Sequence, residues 1–126
     1  MVEIARTELQ RLEALDVAKE IAEVASDRQA SDIVVLDLRN VSLVADYFVI
    51  CSGGSERQIA AILDSITDVL RNTHHLRPSR QEGKPSSGWV LLDYGDVVVH
   101  IFSPAERDFY QLEEAWSAAP AVVRVQ

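Results

Sequence analysis

Cysteine is nearly absent: Cys51 stands alone among 126 residues, which excludes an internal disulfide and any zinc site built from several thiolates. No apolar run approaches the roughly 18 residues a membrane-spanning helix needs, so a soluble chain with no membrane partner is expected. The opening stretch, MVEIARTELQRLEALDVAKE, has neither the basic-then-apolar order of a secretory signal nor the acid-poor composition of a transit peptide. Cytoplasmic residence is expected. Basic residues are also scarce, with twelve Lys and Arg against twenty Asp and Glu and a net charge of -8. That balance repels a phosphate backbone unless the bases cluster. They cluster weakly, since residues 1–70 sum to -7, residues 71–88 to +3 and residues 89–126 to -4. An acidic surface of this kind suits a basic protein partner, and no direct sequence-specific contact with nucleic acid is expected.

What is present is ordinary for one globular domain spanning 1–126: 48% hydrophobic and 25% charged residues in a chain long enough for a single core. From Thr7, the apolar residues Leu9, Leu12, Leu15, Ala18, Ile21, Ala22 and Ala25 recur at three and four, which predicts an amphipathic helix. Thr7 would cap it with Gln10 reciprocating, and it would end near residues 26–30. DIVVLDL (32–38) and DYFVICS (46–52) are short and rich in branched aliphatics, so both predict strands, joined by a connection of hairpin length. Ser55 and Gln58 form an S-x-x-Q capping box ahead of a helix whose stripe is Ile59, Ile62, Leu63, Ile66 and Leu70. RPSRQEGKPSSG (77–88) has almost no apolar content and predicts a mobile surface loop. WVLLDY and VVVHIF, separated by Gly95 and Asp96, carry a type II′ hairpin signature. A last helix opens at SPAERDFYQLEEAW, with Ser103 as cap, Pro104 at the first position and Glu106 closing a box. AAPAVVRVQ reads as a loose tail. The order predicts an α/β domain with a mixed sheet of four or five strands and helices packed on it.

Gly53, Gly54 and Ser55 lie between a strand and a helix N-terminus, a place where backbone N–H groups can hold an anion. Nucleotidyl transfer asks for more, because its divalent metal needs carboxylates converging from one face, at a spacing of two on a strand. No D-x-D or D-x-E occurs in residues 46–102, Asp93 and Asp96 straddle the predicted turn, and no P-loop lysine is present. The three residues are therefore read as a structural turn and cap, with a nucleotidyltransferase-type enzyme using the loop for nucleotide phosphates as the alternative. Ser52 or Ser55 could be drawn into a triad with His100 and an aspartate, but no G-x-S-x-G elbow accompanies them. His74 and His75 have no further ligand cluster, and Cys51 sits among apolar residues as a buried thiol would. No catalytic or metal site is expected.

If Gly95 and Asp96 are the two loop residues, Tyr94 opposes Val97 and the register of the hairpin follows. Val90, Leu92, Tyr94, Val97, Val99 and Ile101 then share one apolar face that packs on helices. Trp89, Leu91 and Asp93 share the other with Val98, His100 and Phe102. Asp93 and His100 are diagonal neighbours able to satisfy each other, and Trp89 and Phe102 could simply be core. An acid and an imidazole among large apolar groups nonetheless favour solvent access, because a buried charge without a partner costs several kcal/mol. An open tryptophan-centred patch is the form of a protein-binding hot spot.

DYFVICSGGSERQ, the pair Glu82-Gly83, WVLLDYGDVVVHIF and RDFYQLEEAW together resemble the ribosomal silencing factor family, also called RsfS or Iojap, over about Leu15 to Trp116. Residues 1–14 extend beyond that match, and Ala115 stands where the family tends to have leucine. The resemblance implies a fold related to nucleotidyltransferases without their activity and without a cofactor. It also implies binding to the large ribosomal subunit at its protein fourteen, which blocks joining of the small subunit and lowers translation when nutrients are short. On this chain the expected contact residues are Trp89, Leu91, Asp93, Val98, His100 and Phe102, with Asp46 beside them. Arg57, Arg107 and Tyr110 are candidates to bind a partner or to decorate their helices. A homodimer through the same sheet face is a further expectation.

Overall fold

The computed structural model describes residues 2–126, with side chains from residue 13 onward. A six-stranded mixed sheet runs through it: β1 (Ser31–Asp37), β2 (Tyr47–Ser52), β3 (Arg80–Glu82), β4 (Trp89–Asp93), β5 (Val97–Phe102) and β6 (Ala121–Val125), in the order β3-β4-β5-β2-β1-β6. Only β2 and β5 are parallel. Both are buried along their whole length, as central strands covered on two sides are.

Helices α1 (Val2–Asp27) and α2 (Glu56–His74) cover one face. Ala14, Ala18, Ala22 and Ala25 are among the buried residues of α1, small enough to bring the helix close to the sheet beside Ile21. The helix begins at Val2, ahead of the expected Thr7; the Thr7–Gln10 box and the Leu9 and Leu12 contacts lie outside the described side chains. It ends as expected, where Gln29 turns to φ +62° and the Ala30 N–H donates to the Ala25 carbonyl at 2.9 Å. All five residues of the predicted α2 stripe are buried. Its cap also forms, the Gln58 N–H donating to Ser55 Oγ at 3.1 Å, but the Gln58 side chain accepts the N–H of Gly54 at 2.7 Å instead of that of Ser55. Its amide donates to the Gln29 carbonyl at 2.8 Å, which fastens the start of α2 to the end of α1.

Two predicted irregular segments are strands. In 77–88 the Ser79 N–H and hydroxyl both donate to the Asp93 carbonyl, at 2.8 and 3.1 Å, and Arg80–Glu82 pairs with β4. Gly83 then turns at φ +79°, where an added Cβ would sit 2.0 Å from the Trp89 carbonyl oxygen, and a 3₁₀ turn (Pro85–Ser87) ends at Gly88, also at φ +79°. This edge is held by backbone bonds, its side chains all exposed, so hydropathy gives no sign of it. In the expected loose tail, β6 pairs antiparallel with β1, and the Asp37 N–H donates to the Pro120 carbonyl at 2.9 Å. The run AVVRV has the β-branched content that a strand favours. These two edges account for the six strands.

The last helix is likewise two pieces, α3 (Pro104–Tyr110) and α4 (Leu112–Ala115), broken where Gln111 adopts φ +50°. Ser103 caps α3 by accepting the Glu106 N–H at 3.2 Å. The predicted box stays open on its other side, because the Ser103 N–H donates to the Gly88 carbonyl at 2.8 Å. Among the described residues no helix is long and apolar enough to cross a membrane.

Candidate protein-docking face

The β4–β5 hairpin turns at Gly95, φ +89°, with the Tyr94 N–H donating to the Val97 carbonyl at 2.9 Å and Asp93 Oδ1 accepting the Gly95 N–H at 2.8 Å. Its register pairs Trp89 with Phe102, Leu91 with His100 and Asp93 with Val98, so these six residues share one face as predicted. Val34 and Leu36 of β1, and Phe48 and Ile50 of β2, continue that face.

The face is less open than the sequence suggests. Val98, His100 and Phe102 are buried, at 6%, 3% and 0% exposure. The break at Gln111 turns α4 back, so that Leu112 and Trp116 pack onto the sheet with Ala119. Trp116 meets Phe48 edge-on at 5.4 Å, and Phe48 meets the His100 ring at 4.7 Å. Trp89, Leu91 and Asp93 stay half-buried along β4, a rim of about 13 Å at strand spacing. Trp89 stacks on Phe102 at 4.8 Å and carries the ring of Tyr110 at 4.6 Å; Tyr110 is 47% exposed and its neighbour Phe109 76%.

Nor do Asp93 and His100 satisfy each other. Asp93 is used by the turn and by Arg80, at 3.6 Å. The Trp89 indole N–H instead donates to His100 Nδ1 at 3.2 Å, which leaves the imidazole proton on Nε2 without a partner. Burial pushes the His100 pKa down to about 4, so the ring is neutral. Asp46 is half-buried ahead of β2, where its N–H donates to the Asp96 carbonyl at 2.8 Å. Burial, and then the Asp46 charge, push the Asp96 carboxyl up.

Asp46 and Asp96 thus lie at the start of the parallel strands and the Gly53 turn at their far end, about 20 Å away along β2. Two N–H groups of the turn are engaged, that of Gly53 by the Phe102 carbonyl at 2.8 Å and that of Gly54 by the Gln58 side chain, and Ser55 Oγ caps α2. Ser52 Oγ accepts from Arg107 at 2.9 Å, and Arg107 also pairs with Glu113 at 2.8 Å, so Arg107 ties α3 to β2 and α4. Arg57 is exposed on α2. His74 pairs with Glu20 at 2.6 Å between α1 and α2, and His75 forms the left-handed end of α2. Cys51 is wholly buried, which pushes its thiol up to about 12. Among the described residues no three His, Cys, Asp or Glu side chains gather as metal ligands would.

Sequence reasoning missed a pocket of about 250 Å³ at one end of the rim, where Glu82, Gly83, Ser87 and Glu106 join Trp89, Leu91 and Tyr110. Trp89, Leu91 and Tyr110 are candidates from the sequence and the Glu82-Gly83 pair belongs to the family resemblance, but nothing in the sequence gathers them around one space. It also missed an apolar tip on the β1–β2 connection, where Leu43 is fully exposed and Val44 76% exposed.

A family model described as "Ribosomal silencing factor during starvation" matches residues 11–126. The chain is 43% identical over 104 residues to the ribosomal silencing factor RsfS of Bacillus subtilis, covering 82% of this chain and 87% of that one. It is 32% identical over 93 residues to the mouse protein named mitochondrial assembly of ribosomal large subunit protein 1, covering 70% of this chain and 40% of that one. A crystal structure of a Chromobacterium violaceum protein superposes with a TM-score of 0.77 at 33% identity, covering 82% of this chain and 85% of that one.

Proposed function

Because the chain belongs to the ribosomal silencing factor family, we propose that it docks on the large ribosomal subunit through ribosomal protein fourteen and so keeps the small subunit from joining. Translation falls when nutrients are limiting, and the chain works in the cytoplasm by occupying space, with no bond made or broken and no cofactor. The observation that carries this reading is the rim of β4, where Trp89, Leu91 and Asp93 are half-buried beside the exposed Phe109 and Tyr110. Aromatic anchors rimmed by polar groups are what a docking surface needs. The net charge of -8 favours a basic partner protein and disfavours bare RNA. The large-subunit wording in the mouse relative's name points to the same particle.

Val98, His100 and Phe102 serve this surface from behind: Phe102 backs the Trp89 ring and His100 holds its N–H. Asp46 is a second contact at the far end of the sheet. A homodimer is proposed to use the same rim, so that pairing and ribosome binding exclude each other.

Co-sedimentation with purified large subunits tests the assignment. Trp89→Ala, verified as folded, is expected to weaken binding roughly thirty-fold or more, the scale of a truncated tryptophan hot spot. Full binding by the folded variant removes the rim as the docking site. Failure of the unaltered chain to sediment with large subunits removes the docking function itself.

A further inference from the structure

The pocket at the end of the rim has a wall and a charge that together select one kind of guest. Trp89 and Tyr110, with ring centroids 4.6 Å apart, make an aromatic wall, and Leu91 adds an apolar edge. Glu82 and Glu106 bring two carboxylates. Glu82 has Arg80 beside it at 3.1 Å, and Arg80 also reaches Asp93. Glu106 has no cation within ion-pair distance among the described residues. Its expected task, closing the capping box of α3, is taken by Gly88, whose carbonyl accepts the Ser103 N–H. Glu106 is thus a half-buried carboxylate in the first turn of α3 that lines the same pocket as the two rings and has no ion-pair partner among the described residues.

We propose that this pocket receives a single arginine side chain of the basic protein on which the chain docks. The proposal rests on the docking reading above and adds the group that is gripped. At about 250 Å³ the space is below the usual range for a small-molecule ligand, and it suits one long side chain. A guanidinium packs against aromatic rings while its fork bonds a carboxylate, and a lysine ammonium does only part of this. A phosphate of RNA would meet Glu82 and Glu106 and be repelled. Gly83 and Gly88 shape the site: both stand at φ +79°, and a Cβ on Gly88 would lie 2.7 Å from Glu106 Cγ.

Two measurements test it. The first is co-sedimentation with purified large subunits, at low and moderate salt, of the full chain, Glu106→Gln and the control Glu23→Gln, an exposed site on α1. Because Glu106 makes no ion pair, its variant should fold, which a thermal melt verifies. Glu106→Gln is expected to bind roughly ten-fold more weakly with a shallower salt dependence, the loss of one charge-assisted contact, and Glu23→Gln to match the unaltered chain. Unaltered affinity of Glu106→Gln overturns the proposal while leaving the docking function standing. The second follows the Trp89 indole N–H by NMR as the peptide acetyl-Gly-Arg-Gly-amide, or its citrulline counterpart, is added. A shift with arginine and none with citrulline supports the pocket even if the chain fails to sediment, the result that would sink the docking reading. Equal shifts, or none with either peptide, overturn it.

Discussion

The two faces of the sheet are built from different chemistry. On the α1–α2 side the strands present Ile33, Val35, Val49, Val99 and Ile101, with Val90 and Leu92, to two long helices, and nearly all of it is sealed. On the other side they present Phe48, His100, Phe102, Trp89 and Leu91 toward two short helices, α3 and α4, with the β1, β2 and β5 residues buried and only Trp89, Leu91 and Asp93 of β4 left half-buried. Aliphatic surface is satisfied by burial alone. Rings that carry N–H groups and nitrogens need partners as well as cover, and the pair Trp89–His100 supplies one bond but leaves His100 Nε2 without another. On the proposed function, the first face holds the fold and the second meets another molecule.

The sharpest way to break that assignment is to cut into the aliphatic face. Ile66 of α2 is fully buried, and Ile66→Ala should cost about 2–5 kcal/mol in urea unfolding, the range for a large-to-small change in a sealed core. A loss below about 1 kcal/mol would mean that α2 contributes little to stability and that the contrast between the faces is wrong.

A smaller effect, on the other face, comes from acid. The His100 pKa is held at about 4 in the fold against 6.5 in the unfolded chain, so the folded state refuses a proton that the unfolded state accepts. Stability is full above about pH 6.5 and falls as pH drops toward 4, by about 3 kcal/mol for this group. Urea midpoints measured at about pH 7 and about pH 4.5 should converge in His100→Gln and stay apart in the unaltered chain. Equal acid sensitivity in both would show that the imidazole does not sit in a dry site.

The sealed face was the legible one. The period of α2, the Gly95 turn and the strand alternation all have letter-level signatures, and each element formed where they pointed. The edges were not legible, because β3 is fastened through backbone atoms and the Ser79 hydroxyl, while β6 depends on β1 lying beside it. On the second face, the sequence aligned Trp89, Leu91 and Asp93 but missed that Val98, His100 and Phe102 are covered. The cause is one residue: Gln111 at φ +50° redirects Leu112 and Trp116 onto the sheet, and a non-glycine residue in that conformation leaves no mark in its neighbours. Glu106 was misread for a related reason, since the carbonyl that accepts the Ser103 N–H in its place belongs to Gly88, fifteen residues before Ser103.

The smallest effect on stability should come from the β1–β2 connection, and it decides where docking lives. Leu43 is fully exposed, so Leu43→Ser removes no buried contact and should change stability by less than about 0.5 kcal/mol. An exposed leucine with exposed Val44 beside it is nonetheless an apolar tip, and it competes with the β4 rim as the place that touches the ribosome. The rim has aromatic anchors backed by buried rings, whereas Leu43 and Val44 stand on a connection with nothing packed behind Leu43, so the rim offers the more rigid contact. Leu43→Ser should therefore sediment with large subunits as the unaltered chain does. If it loses binding while folded Trp89→Ala keeps it, the docking function passes from the aromatic face to the hairpin tip, and the β4 rim is left as core that α3 and α4 cover incompletely.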